Sequence, residues 1–600
     1  MLKIITALFA AMLIVVCFSV YPQYRLRQIR GAEFQGVYAT YDLDETAYAA
    51  YLQALIDERP RRNDPYTGRD DLPNEPQPES IFSIQFVTAY PVALAARAAG
   101  VTASDTMPAI SAVSAILTAL AIFYLIYLFC GNALRSLAGT VTVVAGGALI
   151  SWIGVVNTFY EGGVAYPYLP LFRRHIPSLS FPFMFGFVAF IYSALRARGR
   201  SRIAYAGLAA ACFAVLVYSY FYLWTATLAI VGLTALILML WKAKERGNDL
   251  VLIWSVGAAL AVVLIPYIYL LSHRNTTADA AQLLVLTHRP DLWRNIEIIG
   301  VVAAAISLAC GLWKLGPFDR LRSSMIASFG LTAAVVFNQQ VVTGRSLQPF
   351  HYEYYSVNYV VLLAVVLTVI GIVQHIFASR LYLRTGFAVI LLIAATGWGS
   401  LETIRTAALW DDLNIERDQA VQVNQAMRKI GLGSAIDPRS LVSLNLDSLQ
   451  GDSQPTISRI SVLWARHQHA FAGLVSNEES KLRYYQYLYY QGLDGKWLHH
   501  ALTGCTDIEA CMMLFGWDRF NPTLSSNARP VTRPEIDAEA AKFEKFALSF
   551  GPNEAFSPTL SFLVARKGAP IHENLEKWYE AGNGEDHGDF TIYRLTPRPR

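Results

Sequence analysis

The sequence predicts a polytopic α-helical membrane protein of about eleven transmembrane helices, followed by a C-terminal mixed α/β domain outside the membrane. Three observations predict it. Of 600 residues, 54% are hydrophobic and only 16% charged, whereas soluble domains carry about 25% charged residues. The mean hydropathy is +0.34. Apolar windows of membrane-spanning length recur through the first 400 residues, and the last 200 return to an ordinary soluble composition. So few charges cannot cover a water-facing surface along the whole chain. This excludes a cytosolic enzyme, a disordered scaffold and a secreted disulfide domain. With 49 Lys plus Arg against 45 Asp plus Glu, the charge is too near balance for a polyanion, so no nucleic-acid partner is expected.

The first window, residues 4–20, follows a single Lys3 and is succeeded by Tyr21-Pro22-Gln23-Tyr24 rather than a small-residue cleavage site. It reads as an uncleaved first helix. A spanning helix needs about 20 predominantly apolar residues. Such windows fall at 108–129, 137–156, 179–195, 203–220, 223–241, 250–271, 296–313, 324–342, 357–377 and 384–400. Orientation follows from basic residues, which stay on the cytoplasmic side. With the N-terminus cytoplasmic, alternate loops carry Arg135; Arg196, Arg198, Arg200 and Arg202; Lys242, Lys244 and Arg246; Lys314, Arg320 and Arg322; and Arg380 and Arg384. One parity satisfies every loop. It places the C-terminal domain outside, as in an integral protein of a bacterial inner membrane.

Two domains follow: a transmembrane domain, 1–400, including a long outer first loop at 21–107, and an extracytoplasmic α/β domain, 401–600. Within the first loop, residues 81–99 form an amphipathic stretch expected to lie along the membrane face, since Pro91 and Arg97 disfavour a span. The second domain opens with a helical pattern at 411–431, and SLVSLNL, LSFLVARK and FTIYRL read as strands. Cys17, Cys130, Cys212 and Cys310 lie in apolar runs and read as packing. Cys505 and Cys511, in the polar tail on the oxidising side, are expected to form a disulfide.

Three constellations could carry chemistry. The first is YDLDETAYAAYLQAL, where Asp42, Asp44 and Glu45 precede a helical run near the outer membrane surface. A carboxylate there can act as general base on an acceptor hydroxyl, or in pairs ligate a hard divalent cation such as Mg or Mn. The competing account is acidic residues gathered at a helix start for the sake of its dipole. The second is the outer loop FYEGGVAYPYLPLFRRHIPSLSFP. Its Arg173, Arg174 and His175 stand on the side where positive charge is disfavoured, with Glu161 nearby. A lipid phosphate would compensate them; so would anionic headgroups or the acidic first loop. The third is NQQVVTGRSLQPFHYEYYSVNY, with Asn338, Gln339, Gln340, Arg345, His351 and Glu353 among tyrosines. Such a density of hydrogen-bonding groups and aromatic faces suits a sugar-phosphate pocket. An interfacial aromatic belt explains the tyrosines but not the Asn-Gln-Gln run.

A first helix, a long outer loop opening with Asp44, Glu45 and Tyr48, an amphipathic segment with Tyr90 and Pro91, further spans and an outer C-terminal domain together resemble the GT-C superfamily. These are integral membrane glycosyltransferases, including the protein mannosyltransferase and aminoarabinose transferase branches. The resemblance covers about the first 400 residues, and the C-terminal domain lacks the WWD-type signature of oligosaccharyltransferases. It implies transfer of a sugar from a polyprenyl-phosphate donor to an acceptor hydroxyl of a glycan, lipid or protein, at the outer face. Asp44 or Glu45 is implied as the catalytic carboxylate, with Asp42 in reserve. The alternative is a non-enzymatic polytopic membrane protein, a transporter or an envelope-assembly scaffold. A transporter is expected to carry mid-span charges and repeated halves, and the sequence shows neither.

Overall fold

The computed structural model describes every residue except 153, 161–168, 242–246, 275–289, 345–348, 472–475, 517–518, 520–529 and 599–600. Among the described residues eight helices are long and apolar enough to cross a membrane, and the chain is an integral membrane protein. They fall on eight of the eleven windows: α1 (Leu2–Arg30), Ala103–Cys130, Gly199–Val217, Phe221–Leu240, Gly247–Ser272, Asn295–Leu312, Asn358–Ile376 and Leu381–Leu409.

The other three windows are shorter in the structure. Window 137–156 breaks into Ala133–Ala145, Gly147–Ser151 and Val155–Tyr160. The breaks fall at Gly146 and at Trp152 and Gly154, which both adopt positive φ. At about 1.5 Å per residue the first piece alone cannot cross a core of about 30 Å. Windows 179–195 and 324–342 coincide with Phe181–Arg196 and Arg320–Val336, of 16 and 17 residues. The tightest crossing pairs Asn295–Leu312 with Arg320–Val336 through Gly300 and Gly330. A Cβ on either would run into the backbone carbonyl of the other, so only glycine permits this approach.

The first helix does not end at residue 20, as the window suggested, but continues through Pro22 to Arg30. Its last turns are held by the C-terminal region. Arg25 makes a two-pronged contact with Asp411, and Arg30 donates to Asp418 at 2.9 Å. The last spanning helix likewise runs past residue 400 to Leu409, so the expected domain boundary lies inside a continuous helix. The pattern at 411–431 becomes two helices, Asp411–Gln419 and Val421–Leu432, broken at Ala420.

The three strand motifs are strands. The sheet runs β2 (Ser461–Val462), β1 (Val442–Asn445), β3 (Phe562–Arg566), β6 (Phe590–Pro597), β4 (Tyr579–Ala581), with β5 (Glu585–His587) also on β6. Strands β1, β2 and β3 are parallel; β6 is antiparallel to its three neighbours. Helices cover it with a core containing Trp464, Tyr484, Tyr487, Tyr489, Tyr490 and Trp578. Cys505 and Cys511 are disulfide-bonded, with Cα atoms 5.8 Å apart.

The outer first loop is clasped between these two bodies. Arg69 pairs with Glu479 at 2.7 Å and Arg459 with Asp57 at 3.0 Å; Arg439 pairs with Asp70. The Val462 N–H at the sheet edge donates to the Tyr66 carbonyl at 2.8 Å. The amphipathic stretch folds as Ile81–Ile84 and Phe86–Ala99, and Arg97 donates to the Leu55 carbonyl at the end of helix α2 (Glu45–Ile56).

Candidate active site

Asp42 and Asp44 lie in the turn that starts α2, and Glu45 is its first residue. The Asp42 carboxylate accepts the Asp44 N–H at 3.0 Å, and the Glu45 N–H donates to the Asp42 carbonyl. Asp44 holds the N-cap position but makes no capping hydrogen bond. Its carboxylate turns away from the helix to accept from Arg173 at 2.9 Å. A residue placed there for capping alone would face its own backbone. Capping therefore does not account for Asp44, whose carboxylate is directed at Arg173.

Arg173 is 2% exposed at its side chain and sits in a cage. One arm bridges Asp44 and Asp42, 3.6 Å from the latter, and its Nε donates to the Ile176 carbonyl. Its guanidinium lies 4.4 Å from the Tyr355 ring, 5.3 Å from Tyr48 and 5.9 Å from Tyr220. Such faces favour a desolvated cation. The Tyr355 hydroxyl donates to Asp42 at 3.3 Å.

Glu45 and Arg174 are spent on one another. The Glu45 carboxylate, wholly buried, accepts from the backbone N–H, Nε and Nη2 of Arg174, from the Thr40 hydroxyl and from the Tyr41 N–H. Arg174 also donates to Ser111 and the Ala39 carbonyl, over the rings of Tyr38 and Tyr41. Glu45 accepts five hydrogen bonds, and Arg174 commits four of its five side-chain N–H groups to protein acceptors. Of the sequence expectations for these two, base and phosphate ligand, the geometry supports neither: they lock the outer loop to the arginine loop. The acidic first loop is what compensates both arginines.

Asp44 differs from its neighbours in access. Its side chain keeps 55% of its surface open while Asp42 keeps 9%, so it is the accessible carboxylate of the pair. Desolvation by the surrounding protein, with repulsion from Asp42, pushes the Asp44 carboxyl up to about 6 against the pull of Arg173 and Arg466. His175 is buried beside Arg173, edge-on to Tyr48 at 5.5 Å. Burial and that cation hold it down to about 3, hence neutral, and its Nδ1 has no partner. His351 stacks on Tyr355 with its Nδ1 also unpartnered.

The third constellation divides. His351 and Tyr355 join the Arg173 cage, whereas Asn338 and Glu353 turn to a separate polar cluster. There the Asn338 amide brackets the Asp291 peptide, donating to its carbonyl and accepting from its N–H, both at 2.6 Å. Glu353 accepts from Arg294 at 3.1 Å. Gln339 accepts from Thr343. The divide is made by a π-helical turn, Glu353–Val357, a form often found at functional sites. Glu161 and Arg345 lie outside the described residues. Among the described residues no three His, Cys, Asp or Glu side chains gather in metal-holding geometry. Arg173 bridges Asp42 and Asp44.

Sequence reasoning missed Tyr220 and Arg466. Tyr220 is the middle residue of a Tyr-Ser-Tyr-Phe-Tyr run, 218–222, that reads as interfacial aromatics. Arg466 comes from the C-terminal region and has no local signal.

No protein-family model matches the chain, and no curated protein matches it. Among solved structures it is similar to the crystal structure of ArnT from Cupriavidus metallidurans bound to undecaprenyl phosphate. The similarity covers 98% of this chain and 97% of that one, at a TM-score of 0.49 and 11% identity.

Proposed function

We propose that the chain is a membrane glycosyltransferase that moves a sugar from a polyprenyl-phosphate donor to an acceptor hydroxyl at the outer face of the membrane. The observation that carries this reading is Asp44: an accessible carboxylate at the mouth of an otherwise buried Arg-Tyr-His cage, poised near 6. A general base works best with a pKa near the working pH. Asp44 takes the acceptor proton, and the Arg173 bridge fixes its orientation. Asp42 raises its basicity and stays hydrogen-bonded to Tyr355. The partnerless Nδ1 atoms of His175 and His351 leave polar positions for substrate around the cage. Membrane lipid and the donor's polyprenyl chain are the implied partners.

The test is transfer of labelled sugar from a polyprenyl-phosphate donor by purified protein in proteoliposomes. The sign of its pH dependence follows from Asp44, which is active when ionised. Transfer should fall as pH drops through about 6, and Asp42→Asn, by removing the repulsive charge, should move that midpoint to lower pH. A rate flat from pH 5 to 8 would remove Asp44 from the base role.

The orientation belongs to the same reading, with a cytoplasmic N-terminus and an outer C-terminus, since the basic loops share one side. A reporter fused after Arg600 should be active only outside the cytoplasm. Cytoplasmic activity would place the cage on the wrong face for a lipid-linked donor.

A further inference from the structure

The C-terminal region packs against the helix that begins at the Asp44 turn. The 3-10 turn Arg466–Phe471 follows β2 and packs against α2 and against Ile81–Ile84. Val462 and Ala465, just before it, are buried in the same apolar core as the membrane helices and the cage tyrosines. The turn is pinned by Asp452, itself buried, which accepts from Arg466 at 2.5 Å and from the His467 N–H at 3.0 Å. Arg466 is close enough for its charge to act on Asp44. Next along the turn is Gln468, 2% exposed, with both the nitrogen and the oxygen of its amide lacking any hydrogen-bond partner.

A buried primary amide with neither end satisfied calls for an explanation. It offers a donor and an acceptor side by side, the complement of two adjacent hydroxyls on a sugar ring. We propose that Gln468 is a sugar-recognition residue, a subsite of the C-terminal region that hydrogen-bonds vicinal hydroxyls of the glycosyl ring brought to Asp44. The proposal rests on the glycosyltransferase reading and adds to it that the C-terminal region reads the sugar. Its backbone is fixed before substrate arrives by the Asp452 hydrogen bonds and by packing on α2. The same chemistry could meet the donor's ring or an acceptor glycan's, and the experiment separates them.

Gln468→Met keeps the length and approximate volume of the side chain while removing both polar atoms. Three quantities are compared with the wild type: melting temperature, binding of bare polyprenyl phosphate and of a panel of polyprenyl-phosphate pentoses and hexoses, and transfer kinetics. The expected result is an unchanged or raised melting temperature, since the replaced amide was unsatisfied. Bare polyprenyl phosphate should bind as before, while the sugar-bearing donor binds about ten- to a hundredfold more weakly, the effect of losing two hydrogen bonds of ordinary net strength. If donor binding is unchanged but KM for the acceptor rises by a similar factor, the ring belongs to the acceptor and the subsite stands. A lower melting temperature with normal turnover per folded molecule would make Gln468 a structural residue and overturn the proposal. So would unaltered kinetics at unaltered stability. A wild-type protein that binds neither probe and transfers nothing would overturn the glycosyltransferase reading itself, and the subsite with it. A wild type that transfers while Gln468→Met is indistinguishable from it would remove the subsite alone.

Discussion

Asp44→Asn is expected to leave the protein folded and inserted while reducing sugar transfer by about a hundred- to ten-thousand-fold, the range for loss of a general base. The amide keeps the shape of the carboxylate and can still accept from Arg173, so the turn that starts α2 should persist. What it cannot do is take a proton. Structural damage should be small because the Asp44 side chain is 55% exposed and makes no capping bond. The assay compares labelled-sugar transfer by wild-type and variant protein matched for folded material. Normal turnover in Asp44→Asn, with Asp42→Asn also normal, would take the catalytic role away from the first-loop acids and favour the scaffold alternative.

Glu45→Ala should have the opposite signature. It strips the partner from Arg174, a guanidinium 1% exposed, and breaking a buried ion pair from one side costs about 3–5 kcal/mol. The measurable outcome is a marked fall in melting temperature and folded yield, with turnover per folded molecule much less affected. Glu45→Leu combined with Arg174→Met should recover a large part of the loss, because a well-packed apolar pair leaves no charge stranded. Should Glu45→Ala melt like the wild type and yet be inactive, Glu45 would be a catalytic carboxylate and the assignment of roles within the pair would reverse. Asp44 and Glu45 are adjacent in sequence, so these two variants together separate chemistry from scaffold at neighbouring positions.

The sequence by itself determined whatever is encoded locally. Ten of the eleven apolar windows fall mainly on a single helix and the eleventh, 137–156, on three short ones, because a long apolar run is a property of the segment. The alternation of basic loops, the three strand motifs and the gathering of Asp42, Asp44, Arg173 and Arg174 outside the spans were legible for the same reason. Tertiary structure decided the rest. Whether Asp44 or Glu45 stays accessible depends on which meets a guanidinium 129 residues away and which is sealed beneath it. The split that sends Tyr355 to Asp42, 313 residues distant, and Glu353 to Arg294 needs a π turn and the packing around it. The continuation of the first helix beyond its apolar stretch is explained only by Asp411 and Asp418. Hydrophobic period and charge placement are set residue by residue along the chain. Which of several buried acids keeps an open face is set by long-range packing, where each carboxylate is neutralised by the cation that the fold brings to it.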